Sequence, residues 1–212
     1  MTTTTTTTTL TLPADATLVT GPAEPQPWSR IGLPDESDFP PEVIELGERI
    51  REKHAVLGAA FDPESFLKLA QFSAPLGDPE QGHLPIEERE LLGTVVSAEN
   101  RCTGCLLHHI RAFGEAIHDQ LRAHRIGINY RHVPLSSRER ALADLASKLT
   151  LAPASVEDAD IQRLHAAGLS DAAIYEAVVI ISLTNYSNRI SSGLGLRPDD
   201  DFFTSYVFGE GR

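Results

Sequence analysis

Pro85-Ile-Glu-Glu-Arg-Glu90-Leu-Leu-Gly-Thr-Val-Val-Ser-Ala-Glu-Asn-Arg-Cys102-Thr-Gly-Cys105-Leu-Leu-His-His109 is the stretch whose reading decides the fold. It opens like a helix: a proline where no N–H is needed, then acids where the positive end of the helix dipole favours them. Leu91, Leu92, Val95 and Val96 recur as one apolar face, and Glu90, Thr94 and Ser97 form a separate polar seam at i, i+4 and i+7. A further helix starting near Arg101 carries the chain's only two cysteines and continues past Phe113.

Working outward, the same period returns. Val43, Ile44, Leu46, Ile50 and Val56 predict an amphipathic helix from Pro41, and Asp62-Pro-Glu-Ser starts another carrying Phe66, Leu67 and Leu69. Gly77 to Pro85 reads as a turn-rich linker. On the other side, Ser136 to Leu151 opens with a capping-box pattern, and Asp158 to Ala167 stops at Gly168. Ser170 begins a long, very apolar helix that runs to about Ser191 and is closed by Gly193. Apolar on nearly all sides, it is expected at the centre of a bundle or at an oligomer interface. No alternating strand pattern interrupts this series, so the fold class is all-α. Residues 1–40, with the Thr2–Thr9 tract and recurring Pro and Gly, read as a poorly ordered N-terminal arm; residues 41–212 read as one helical domain. The alternative for the arm is a strap around a neighbouring subunit, anchored by Trp28 and Ile31.

A formal charge of −12, with no Lys/Arg stripe, argues against nucleic acid as a partner. Neither a signal peptide nor an apolar run of membrane-spanning length is visible. Two cysteines in a C-x-x-C suit a reducing compartment, where such a pair cycles rather than staples, and the expectation is a cytoplasmic protein without a membrane partner.

Those cysteines carry the chemistry. A thiol becomes a nucleophile only as its thiolate, and the first turn of a helix favours that anion through its dipole and unpaired N–H groups. His109 lies i+4 from Cys105, and Cys102 lies i−3 from it, so all three share one face. A disulfide between Cys102 and Cys105 is feasible in a relaxed first turn. Antiparallel packing of the two helices would bring Glu90 within reach of His109, to orient the imidazole and stabilise its cation. His108, at i+3 from Cys105, either faces the site as a supporting hydrogen-bond donor or points to solvent. Glu99 is the alternative acid, but its place before the cysteine helix reads as a solvated turn. His54, His83, His118, His124, His132 and His165 have no such constellation around them. Zinc is the chemical competitor, with Cys102, Cys105 and His109 as three ligands and His108, His118, His124 or His132 as a fourth.

The spacing of Glu90, Cys102, Cys105 and His109 resembles the E-x11-C-x-x-C-x-x-x-H signature of the alkylhydroperoxidase AhpD / carboxymuconolactone decarboxylase-like family, in its peroxidase-related branch. Leu84-Pro-Ile-Glu-Glu-Arg-Glu90, Leu135-Ser-Ser-Arg-Glu-Arg-Ala-Leu, Gly168-Leu-Ser-Asp and Asn185-Tyr-Ser-Asn-Arg189 are similar too, over roughly Pro41 to Phe202. The resemblance implies an all-helical AhpD-like bundle assembled as a symmetric homo-oligomer, and a peroxidase acting on organic hydroperoxides without metal or bound cofactor. It implies that Cys105 is the peroxidatic cysteine, deprotonated by His109 with Glu90 assisting. Cys102 then resolves the sulfenic acid to a disulfide, which an external dithiol reduces. Gly104 departs from the family pattern, which places a histidine or an aromatic residue there. Lactone decarboxylases of the superfamily lack the cysteine pair. Two other readings share the scaffold: a disulfide reductase or redox adaptor, and a non-catalytic redox sensor.

Overall fold

Helix-start chemistry places most of the elements. The side chains of Asp62, Asp119, Ser136 and Ser170 accept from the backbone N–H groups of Ser65, Arg122, Glu139 and Ala173, each fixing the first turn of a helix. The computed structural model describes residues 29–32, 34–50, 53–200 and 202, and the description below is of these. The helices are α1 (Pro41–Ile50), α2 (Lys53–Ala59), α3 (Pro63–Ser73), α4 (Ile86–Glu99), α5 (Thr103–Ala116), α6 (Gln120–Asn129), α7 (Ser137–Leu151), α8 (Asp158–Ala166) and α9 (Asp171–Leu194). There is no strand among the described residues, so the fold is all-α. No single helix among them is long and apolar enough to cross a membrane.

Three elements differ from the sequence reading. The run from Pro41 to Val56 is two helices rather than one, with α2 folded back so closely that a Cβ on Gly47 would lie 2.9 Å from the Lys53 Cα. The segment between α5 and α7 contains α6, whose buried Ala123, Ile126 and Gly127 were not singled out as a helical face. The last long helix passes through Gly193 and ends at Gly195, which supplies the left-handed conformation (φ 67°) of the C-cap.

The centre of the bundle is α4, not α9. Leu91 to Ser97 are all buried, and α4 packs against α5, α6, α7 and α9. Ile110, Phe113, Ile126, Leu142, Leu145, Ala177 and Ile181 close the core around it. By contrast α9 buries one stripe, Ala173, Ala177, Ile180, Ile181, Thr184 and Asn188, and exposes Tyr175 and Tyr186 on the other side. Its composition is apolar all round, but its position is peripheral. A smaller cluster of Phe39, Val43, Val56, Leu57 and Ala60 joins α1 and α2.

Three consecutive residues at the start of α4 lock its register. Glu88 accepts from the Arg138 guanidinium of α7 at 2.9 Å. Arg89 pairs with Glu176 of α9 at 2.8 Å, both almost fully buried, and also donates to the carbonyls of Leu76, Asp78 and Gln81. Glu90 reaches α5. Thus Glu88-Arg89-Glu90 ties the central helix to three neighbours and to the preceding loop.

The threonine tract and Trp28 lie outside the described residues. The chain just before Pro41 has a fixed course: the Arg30 N–H and Ser29 hydroxyl donate to the Leu194 carbonyl, and the Arg30 guanidinium donates to the Gly193 carbonyl at 3.0 Å. These bonds satisfy the orphan carbonyls at the end of α9 and put a cation at its negative pole. Ile31 is exposed.

Candidate active site

The link between α4 and α5 is three residues, Asn100, Arg101 and Cys102. Arg101 turns left-handed (φ 56°), its N–H bonds the Ala98 carbonyl, and the Cys102 N–H reaches back to the Ser97 carbonyl at 3.1 Å. That paired pattern is a Schellman stop. Cys102 is at the same time the N-cap of α5, with its carbonyl accepting from Leu106 at 2.8 Å. The chain ends one helix and begins the next within three residues, and the contact of His109 on α5 with Glu90 near the start of α4 shows that α5 runs back along α4. This is the antiparallel arrangement inferred from the sequence.

An asparagine network holds the turn. The Asn100 amide donates to Asn185 at 2.9 Å and to Asn188 at 3.1 Å, and the Asn188 amide donates to the Ser97 hydroxyl. Asn185 also donates to the Thr150 hydroxyl. The Asn185-Tyr-Ser-Asn-Arg189 motif therefore acts by fixing where α5 begins.

Cys102 and Cys105 are both in the reduced, thiol form, with their sulfurs in contact at 2.7 Å. Cys102 is buried and Cys105 half-buried. Closing this pair to a bond of about 2.05 Å needs a movement of less than about 1 Å. The Cys102 thiol is pulled down to about 6, chiefly by the hydrogen bond from the Cys105 thiol, against the opposing effect of burial. The Cys105 backbone N–H and the hydroxyls of Ser192 and Ser191 add to the pull. Cys105 itself donates to Ser191 at 3.7 Å.

One turn further along α5, His109 Nδ1 lies 2.8 Å from Glu90 Oε2. Burial pushes the Glu90 carboxyl up, but the charge and hydrogen bond of His109 outweigh it, and the group stays below its usual value. An ionised Glu90 can only accept, so Nδ1 carries the proton and Nε2 is left to act as a base. Of the four residues singled out from spacing, the structure pairs Glu90 with His109 and Cys102 with Cys105, and His109 follows Cys105 by one turn of α5. Glu99 is in neither pair: it accepts from Arg131 at 2.9 Å and Ser147 at 2.7 Å, tying α4 to the residues around α7.

The approach of α5 to α4 depends on Gly93, three residues beyond Glu90. A Cβ there would lie 2.5 Å from His109 Nδ1 and 2.6 Å from Cε1, so the imidazole rests directly on the α4 backbone. Gly104 is different: a Cβ would meet Pro198 at an ordinary 3.5 Å. Chain following α9 occupies the neighbourhood where the family pattern puts a larger side chain.

Two cavities flank the junction. One, of about 360 Å³, opens on His109, His108 and Glu90 and has Leu69, Leu76, Ile180 and Leu183 in its walls. His108 is exposed there and stacks on Phe202 with ring centres 6.4 Å apart. The other, of about 580 Å³, lies on the Cys102 side. Sequence reasoning missed Gly93, Ser191 and Ser192. Gly93 carried one signal, its i+3 spacing from Glu90 on a helix; the serines lie on α9, distant in sequence from the cysteines. Among the described residues no group of three or more His, Cys, Asp or Glu side chains is arranged to hold a metal ion.

Comparison with solved structures matches this architecture. An uncharacterized peroxidase-related protein from Ralstonia eutropha JMP134, described as an alkylhydroperoxidase AhpD core, is similar with a TM-score of 0.73 at 27% identity, over 85% of this chain and 97% of its own. An uncharacterized peroxidase-related protein from Silicibacter sp. TM1040 is similar with a TM-score of 0.74, also at 27% identity, over 88% of this chain and 100% of its own. The debrominase Bmp8 shares the fold with a TM-score of 0.68 at 16% identity, over 84% of this chain and 95% of its own. No protein-family model and no curated protein matches the sequence. With a C-x-x-C turn between two packed helices and a glutamate–histidine pair one turn along, the chain has the AhpD-like helical fold and is similar to these peroxidase-related proteins.

Proposed function

We propose that this protein is a thiol-dependent peroxidase that reduces organic hydroperoxides through a Cys102–Cys105 disulfide cycle. The observation that carries the reading is the Glu90–His109 contact at 2.8 Å, one turn from a dithiol whose sulfurs touch at 2.7 Å. His109 Nε2 takes the Cys105 proton, and the thiolate attacks the terminal peroxide oxygen. The O–O bond breaks, the alcohol leaves with the proton returned by His109, and Cys105 becomes a sulfenic acid. Cys102 then attacks that sulfur as its thiolate, which the Cys105 backbone N–H and the Ser191 and Ser192 hydroxyls help to hold. Hydroxide departs as water after taking a proton, and a disulfide remains. An external dithiol, or two thiols in succession, returns the two electrons. The apolar walls of the cavity at His109 favour an organic hydroperoxide over hydrogen peroxide.

A single-turnover count tests this. Fully reduced protein is mixed with one equivalent of an organic hydroperoxide while free thiols and intact mass are followed. Loss of both thiols and two hydrogens, much faster than for free cysteine, is the expected result. Cys105→Ser should abolish the reaction, whereas Cys102→Ser should stop at a sulfenic acid. Equal rates for Cys105→Ser and the unaltered protein would refute the roles. One observation favours a second reading, a disulfide reductase or redox adaptor: Cys102 has the lowered pKa and lines the larger cavity. Slow oxidation by peroxide with fast exchange against disulfides would select it.

A further inference from the structure

The larger cavity, about 580 Å³, has Cys102 in its wall and three arginines around it: Arg30, Arg101 and Arg197. Asp200 is its one acidic lining residue, and the Ser192 hydroxyl acts on the Cys102 thiolate. This concentration of cations stands out on a chain of net charge −12. Each arginine reaches the cavity by a different route. Arg30 comes from the segment before α1, outside the Pro41–Phe202 span that resembles the family, and is held by the carbonyl end of α9. Arg101 is the left-handed residue of the α4–α5 turn, and Arg197 follows the α9 cap. The cavity at His109 differs in character: Leu69, Leu76, Ile180 and Leu183 share its walls with Arg89, Glu90 and two histidines, and it has one arginine where the other has three.

We propose that the arginine-lined cavity is the docking site of the reductant, and that this reductant is a small thiol bearing a carboxylate. The proposal rests on the disulfide cycle above and names the partner of its second half. The carboxylate sits among the guanidinium groups, whose planar forks match it, and this places the thiolate at Cys102. The thiolate attacks Cys102 Sγ, a mixed disulfide forms, and the Cys102–Cys105 bond breaks. Cys105 leaves as a thiolate and takes up from solvent the proton that the incoming thiol gave up. A second thiolate of the same kind attacks the reductant's sulfur, releasing the small-molecule disulfide and the Cys102 thiolate. Two thiols are oxidised and one protein disulfide is reduced.

The test starts from protein oxidised with diamide to the intramolecular disulfide, so no peroxide step enters. Rates of reduction by 3-mercaptopropionate, 2-mercaptoethanol and cysteamine are compared per mole of thiolate. The expected order is anionic, then neutral, then cationic, with about a tenfold advantage of 3-mercaptopropionate over 2-mercaptoethanol at low ionic strength, shrinking as salt is added. In Arg101→Gln/Arg197→Gln the anionic-to-neutral ratio should fall close to one. A salt-independent ratio near one in the unaltered protein overturns the proposal without using any variant. Charge-selective reduction together with sluggish oxidation by peroxide would keep the docking site and remove the peroxidase reading. Rapid oxidation by peroxide with charge-blind reduction would do the reverse, and failure of diamide to form the disulfide would remove both.

Discussion

Replacing Gly93 by alanine should disable the site without touching a reacting atom. The added methyl would lie 2.5 Å from His109 Nδ1, 2.6 Å from Cε1 and 2.8 Å from Cγ. Comfortable separations are about 3.5–4.0 Å, so the ring must retreat by about 1 Å. Such a shift stretches the 2.8 Å contact to Glu90 beyond hydrogen-bonding range. Overpacking costs about 1–3 kcal/mol, and a lost bond to a charged group about 1.5–3 kcal/mol. The better helix propensity of alanine returns about 1 kcal/mol. Because the pair is partly exposed, the net destabilisation should fall near the lower end, about 2 kcal/mol, read as a lower denaturant midpoint. A displacement of 1 Å in a catalytic base is worth about 10²-fold in rate, read by stopped-flow oxidation with an organic hydroperoxide. Gly104→Ala, at ordinary contact distance from Pro198, is the steric control and should be mild. With His109→Ala the methyl has room, so adding Gly93→Ala there should be neutral or stabilising. An undiminished rate in Gly93→Ala, or the same destabilisation with His109→Ala present, would refute the packing argument.

Titration of the reduced protein by ultraviolet thiolate absorbance should show one anion forming with a midpoint of about 6, and Cys105→Ala should move it up toward the ordinary value of 9.0, because the Cys105 thiol is the main cause. Since the folded value lies below the unfolded one, this thiolate's stabilisation is complete above about pH 9 and is lost as pH falls through about 6; denaturant midpoints should rise across that window, and Cys102→Ser should remove the rise. Glu90→Gln should slow oxidation by hydroperoxide roughly tenfold to a hundredfold, since it removes the charge that orients and supports the base; an unchanged pH–rate profile would argue against that role. Arg89→Ala leaves Glu176 buried without its cation and frees three carbonyls, so it should cost about 3–5 kcal/mol in urea unfolding. An unaltered midpoint would show that the pair does not anchor α4.

Local signals were legible in the sequence, and long-range ones were not. Caps such as Ser136 with Glu139 and Ser170 are written within four residues, and the helices they start lie where periodicity puts them. The Glu90–His109 contact was legible for a different reason: three residues turn the chain from α4 into α5, and so short a link favours packing of one helix against the other. Of the two places expected for α9, the bundle centre is taken by α4, because composition reports how apolar a helix is and not what covers it. The central place of α4 was not legible from its pattern: the polar seam of Thr94 and Ser97 is buried together with the apolar face, and spacing does not say what covers a seam. Nor could Gly93, or the serines that act on Cys102, be found by spacing from the cysteines, because both depend on how closely separate helices approach.

The two cavities bear on how the proposed cycle avoids a futile encounter. Cys105 and His109 lie along α5 from Cys102, and the apolar cavity opens at the His109 end while the arginine-lined one opens at Cys102. A hydroperoxide with a hydrocarbon body is drawn to the first by burial of apolar surface, a term indifferent to salt. A carboxylate-bearing thiol is drawn to the second by charge, a term that salt weakens. The two half-reactions should therefore respond differently to ionic strength: oxidation of the dithiol should be nearly insensitive, and reduction of the disulfide should slow. Turnover measured at limiting thiol would then fall with salt while the burst of oxidation stays constant. If both halves slowed together, oxidant and reductant would be sharing one charged entrance, and the apolar cavity at His109 would have no part in binding the peroxide.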